Sequence, residues 1–230
     1  LFRSSFSTKA DKDEKLEVKK GMNRFVWNLY YPPAEKIEDQ ILWSGPIGGP
    51  KAAPGNYTAV VKTRSDSTAI NFTVVADPNY KISQSDYEEQ FSFLIKTRDK
   101  FSEIQKSLKQ IREVRQQLSA LSGRLPKDST VKSLTVSIDS IQKRITRIEE
   151  ALYQTKAKSG QDILNYPIRL NDKLSALYDA ANSGYMAPSK QVKEVYEVLS
   201  GKIDEQLSKL KVIKETELKN LNASLKQFDI

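Results

Sequence analysis

An α+β chain in two parts, a small β-sandwich followed by an elongated antiparallel helical bundle, is what three observations predict. Up to about Tyr80 the apolar residues recur with a period near two; from about Ser83 they recur at three- and four-residue steps. Turn-forming Gly and Pro are concentrated in the first third, as short strands require. Val131, Leu134, Ile138, Ile141, Ile145, Ile148 and Leu152 alternate strictly between steps of three and four, an a/d stripe held over about three heptads.

In the first part, residues 1–80, Phe25, Trp27 and Leu29 share one side of a strand pattern that Val26 and Tyr30 blur. Pro54-Gly55 suits the centre of a type II turn, and Tyr57, Ala59 and Val61 then alternate with Thr58, Val60 and Lys62. After "RSDST", Ile70, Phe72 and Val74 fall on one face, so the two runs predict a hairpin. The Gly/Pro-rich stretch 32–55 between them and the tryptophan predicts a long excursion with little regular structure. Short strands and turns of this kind predict an immunoglobulin-like sandwich with Phe25, Trp27, Tyr57 and Phe72 in its core.

The second part, residues 81–230, predicts long helices at about 85–122, 129–157, 167–183 and 189–228. Ser85 and Glu88 have capping-box spacing, Gly123 stands where the first helix stops, and Pro167 suits a first turn. So charged a set of helices persists by burying its apolar stripes together, with Ile138, Ile141 and Ile145 on the seam.

Composition narrows the function. The 230 residues contain no cysteine and no histidine, which removes thiol nucleophiles, disulfides, Cys/His zinc sites and imidazole bases. No apolar run approaches the ~20 residues of a membrane span, and a mean hydropathy of −0.56 fits a polar chain. The chain opens on Leu1 without a signal-peptide pattern and reads as part of something longer. The carboxylate pairs Glu88-Glu89, Glu149-Glu150 and Asp204-Glu205 lie on amphipathic segments, where they predict solvated faces. No phosphate loop or metal-ligand spacing accompanies them, so neither a catalytic residue nor a cofactor is expected. The net charge is +8, with Lys109, Arg112, Arg115, Lys143, Arg144 and Arg147 among the helical cations. Acidic residues are interspersed among them and no stacking aromatics join them, which disfavours nucleic acid. Trp43, in the Gly/Pro-rich excursion, is the one candidate ligand contact, for a sugar or a protein partner.

Two stretches carry a resemblance. "KLEVKKGMNRFVWNLYYP", followed by "GPIGGPKAAPGNYTAVV" and "FTVVADPNY", resembles the C-terminal β-module of secreted proteins of Bacteroidetes-type bacteria. The front halves of those proteins are BNR/Asp-box, VPS10/sortilin-like β-propellers, often labelled glycosyl hydrolases. The same pattern is similar to the immunoglobulin-like domain of flagellar hook-capping proteins. "LNYPIRLNDKLSALYDAANSGYMAPSKQ" resembles the helical tail that follows the module. The resemblance implies an exported, secreted or periplasmic protein, whose catalysis, if any, belongs to a propeller, since no Asp-box pattern occurs in these residues. It implies an accessory role, with the parent propeller, another envelope component or a second copy docking through the helices. It also implies a first strand before "LFRSSF", without which the sandwich has an exposed edge.

Overall fold

The computed structural model describes residues 17–126 and 131–227; the "LFRSSF" segment and Phe228 lie outside the described residues. Among the described residues the predicted sandwich is not there: 56% of them are helical and the sheet has two strands, so the fold is mostly helical with a small hairpin.

The hairpin joins β1 (Gly55–Lys62) to β2 (Ser67–Val74), antiparallel and in register from Gly55↔Val74 to Lys62↔Ser67. Its turn closes through the Thr63 N–H on the Asp66 carbonyl at 2.8 Å. The tryptophan stretch belongs to no sheet among the described residues. Leu29, with φ +68°, breaks the extended run, and the chain beyond it pairs elsewhere. Residues 29–34 run antiparallel to 47–52, with Tyr31 N–H on Pro50 O at 3.0 Å, Ala52 N–H on Leu29 O at 2.7 Å and Ala34 N–H on Ile47 O at 3.0 Å. The Gly/Pro-rich excursion is thus a folded-back ribbon, and Gly49 is what lets it close. A Cβ there would sit 1.5 Å from the Tyr31 carbonyl oxygen.

The helical body has three arms. The first is α1 (Gln84–Arg124), 41 residues and about 60 Å long. Its N-cap is Ser83, whose hydroxyl accepts from the Asp86 N–H at 3.1 Å, not the Ser85 expected from the spacing. The second arm is α2 (Lys132–Leu152) followed, after an irregular stretch and the 3-10 turn Gly160–Leu164, by α3 (Leu170–Ala181). Pro167 precedes α3 and stands outside its first turn. The third arm is α4 (Lys190–Val212), the π-helical turn Ile213–Glu217 and α5 (Leu218–Gln227), one continuous run. The π turn follows from the spacing of the stripe. After Leu210 and Ile213 the next seam residue is Leu218, a five-residue step, and an i→i+5 turn keeps Leu221 buried on the same side.

The arms are not all antiparallel. Arg112–Glu149, Arg115–Thr146 and Ser119–Gln142 contacts run in opposite senses along α1 and α2. Glu89–Lys193, Lys96–Glu197, Lys100–Asp204 and Gln110–Lys214 climb together, so α1 and α4 are parallel. The broken middle arm makes this possible by carrying the chain back to the start of α1. The core fills the space between arms: Phe101, Ile104, Leu108, Ile111, Ile138, Ile145 and Ile203 are wholly buried, and Ile141 nearly so.

Candidate functional site

Of the four aromatics expected in a sandwich core, Trp27, Tyr57 and Phe72 pack together on one face of the hairpin. Trp27 lies 5.5 Å from Tyr57 and 6.1 Å from Phe72, centroid to centroid, and its Nε1 donates to the Tyr30 carbonyl at 3.1 Å. Those three rings are half-buried, whereas Phe25 is 47% exposed. The Tyr57 hydroxyl donates to Ala53 O at 2.7 Å. Burial first, and the neighbouring Tyr31 hydroxyl second, push its pKa up to about 12, so it stays a neutral anchor and not a base.

Trp43 is 60% exposed. What is built at this point is its backbone. Asp172, in the first turn of α3 and 2% exposed, accepts from the Trp43 N–H at 2.8 Å and the Ser44 N–H at 3.0 Å, one carboxylate oxygen each. Ser175, one turn on, donates to Gly45 O at 2.6 Å. A carboxylate in a helix's first turn also faces the positive end of the helix dipole, a stabilising placement. Similar straps repeat along the excursion. Tyr153 Oη accepts from the Ile41 N–H at 3.2 Å, Gln105 donates to Gln40 at 2.7 Å, and Ser102 Oγ accepts from the Glu35 N–H at 3.0 Å. Replacing Asp172 with alanine strands two amides, and we expect it to cost about 2 kcal/mol. Hydrogen exchange should quicken at Trp43 and Ser44 well before the bundle opens; unchanged exchange there would show that the carboxylate holds nothing.

The carboxylate pairs separate into two kinds. Glu88, Glu89, Asp204 and Glu205 are exposed, as a solvated face requires. Glu149 is 4% exposed, against expectation. It fits between Arg112, whose Nε donates at 3.0 Å, and Arg115, which takes the other oxygen. This trio borders a notch of about 440 Å³ with Tyr153 and Lys158. A carboxylate clamped by two guanidiniums is immobilised and its charge compensated, so the trio is a structural clasp, although Asp39 and Glu150 also line the notch. Other helical cations are engaged in the same way, Lys109 with Glu35 and Arg144 with Glu217. Among the described residues no three carboxylates gather in a metal-binding group.

A larger cleft, about 550 Å³, opens between the hairpin and the ends of α1 and α3, lined by Leu29, Tyr30, Lys51, Tyr87, Phe91 and Tyr185 among others. Its polar groups serve one another. Lys51 Nζ donates to the Tyr185 hydroxyl at 3.3 Å and lies over that ring, and Gln90, 6% exposed, donates to the Ala181 and Gly184 carbonyls that end α3. Trp43 lines neither this cleft nor the notch.

No protein-family model, no curated protein and no solved structure matches the chain. The likeness to propeller-protein C-terminal regions therefore stands on the quoted residues alone. No helix among the described residues is long and apolar enough to cross a membrane.

Proposed function

We propose that this chain is a non-catalytic accessory module of an exported, propeller-containing protein, a rigid spacer and protein-docking body. The observation that supports it most is where the buried polar side chains go. Gln90, Gln105, Glu149, Gln154, Asp172 and Ser175 each bond another segment of the same chain, joining ribbon and helices to one another. Groups committed to such bonds are poor acids, bases or nucleophiles, because any proton they moved would break a buried contact. The partner in this reading is the parent propeller or another envelope component. Calorimetric titration of the chain with the propeller encoded in the same gene, produced separately, should give saturable binding, while glycoside hydrolysis by the chain alone stays at background. Absence of any such propeller in the gene, or turnover by the chain, would defeat the reading.

The exposed ring of Trp43 gives a second reading, a carbohydrate-binding accessory module. Under the docking reading a glycan panel leaves Trp43 fluorescence unchanged. Saturable quenching that Trp43→Ala abolishes, with Trp27 intact, would favour the sugar instead.

A further inference from the structure

The cleft between the hairpin and the ends of α1 and α3 holds more bonding capacity than the chain itself uses. Gln90 is 6% exposed and gives its Nε2 to two carbonyls, yet its Oε1 accepts no hydrogen bond among the described residues. One turn before it, Tyr87 is 7% exposed, and its hydroxyl has no partner among them either. Both residues line the cleft, and neither atom is sealed from solvent as the Tyr178 hydroxyl is. Polar atoms at this depth are costly to leave unmet. Lys51, also in the lining, spends one N–H on the Tyr185 hydroxyl and has no acid within ion-pair distance among the described residues. Its charge and its other N–H groups are left over.

We infer that this cleft binds an acidic sugar, a pyranose carrying a carboxylate. Its volume, about 550 Å³, falls within the ~300–1,000 Å³ of small-ligand sites. Tyr30 and Tyr185 offer ring surface, and ring faces attract the C–H side of a pyranose through their negative quadrupole. Sugar hydroxyls both donate and accept, so they satisfy Gln90 Oε1 and Tyr87 Oη together, whereas a purely apolar ligand would strand both. A single ammonium suits a carboxylate. Phosphate is met by arginine forks or nests of backbone N–H groups, and among the described residues no arginine lines this cleft. Asp77 also lines it, with one oxygen taken by the Asn79 N–H and side-chain amide and the other left to accept a hydroxyl. A peptide is the weaker fit, because the lining backbone is engaged. Leu29 O accepts from the Ala52 N–H, Pro54 O from Gln84 and Gly184 O from Gln90, so an extended chain finds no ladder there. The site is independent of Trp43, which lies outside the cleft, and of any propeller docked on the helices.

Nuclear magnetic resonance titration of the isotope-labelled chain with D-glucuronate, D-galacturonate, D-glucose and D-galactose tests this. At least one uronate should bind saturably, shifting Lys51, Gly184 and the Gln90 side-chain amide, about tenfold more tightly than its neutral parent. Lys51→Gln should erase that preference and leave the neutral sugar's affinity in place. Tyr87→Phe, which removes only a hydroxyl, should weaken both sugars several-fold. Circular dichroism checks that each variant keeps its helices. Acetate and the tripeptide alanyl-alanyl-tyrosine should leave the cleft signals where they are. No saturable shift with either uronate, equal affinity for acid and neutral sugar, or a preference that survives Lys51→Gln overturns the inference. So do shifts gathered at Trp43 while the cleft is silent, and acetate or the tripeptide binding in the uronate's place.

Discussion

Arg112→Ala combined with Arg115→Ala lowers the unfolding free energy by about 4 kcal/mol, while Glu149→Ala alone costs about 1–2 kcal/mol. The asymmetry comes from burial. Glu149 is 4% exposed and cannot rotate into water when its partners go, so the double variant holds an uncompensated charge in the core. The two guanidiniums keep a third or more of their side-chain surface exposed, so losing Glu149 leaves them hydrated. Arg112 also lies over the Tyr153 ring, 5.7 Å from its centroid, and some of the double variant's loss is that contact. The triple variant lacking Glu149 as well separates the two effects. It should recover part of the loss, because the stranded carboxylate is gone. Urea unfolding of the four proteins measures this, and a triple variant no more stable than the double would refute a buried, charge-compensated clasp.

The clasp also shows how far the sequence could be read. The α2 stripe was legible because three-and-four spacing maps directly onto one helical face, and Leu134 to Leu152 are buried along it. Glu149 sits beside that stripe, next to Ile148, and its partners are 34 and 37 residues away, so local pattern marks it as surface. Arrangement was less legible than elements. Apolar stripes say that helices pack but not which two meet, and the parallel α1–α4 pair depends on the middle arm breaking between Tyr153 and Arg169. Neither Gly nor Pro stands where that break begins. Asp172 had a faint signal, an acidic residue in the first turn of a helix, but no local pattern points to Trp43 and Ser44 as its partners.

The hairpin shows the opposite error. Alternation at Phe25, Trp27 and Leu29 gives residues a common side but does not say which segment they pair with, and a sandwich needs both. At Leu29 the backbone enters the left-handed region and the chain turns to the ribbon at 47–52. Ser83 and Ser85 both have an acid three residues on, and spacing could not choose between them. The geometry did: Ser83 Oγ accepts from the Asp86 N–H and donates to its carboxylate at 2.6 Å.

If cohesion resides in the bundle, truncations to alanine there and in the hairpin should behave differently, even where the hairpin loses the larger side chain. Ile145 has no exposed surface, and Ile145→Ala should lower global stability by about 3 kcal/mol, the lost burial plus the cavity left behind. Phe72 is half-buried against Trp27 and Tyr57, on a hairpin tied to α1 at Pro54 O by the exposed Gln84 amide, 2.8 Å away. Phe72→Ala should therefore leave the helical unfolding transition within about 1 kcal/mol of wild type, while amides of β1 and β2 exchange faster through local opening. The two readouts are independent: urea titration of the helical signal reports the bundle and residue-resolved exchange reports the hairpin. A Phe72→Ala chain that loses helix in step with its strands would make hairpin and bundle one cooperative unit, and the aromatic face would then be part of a shared core.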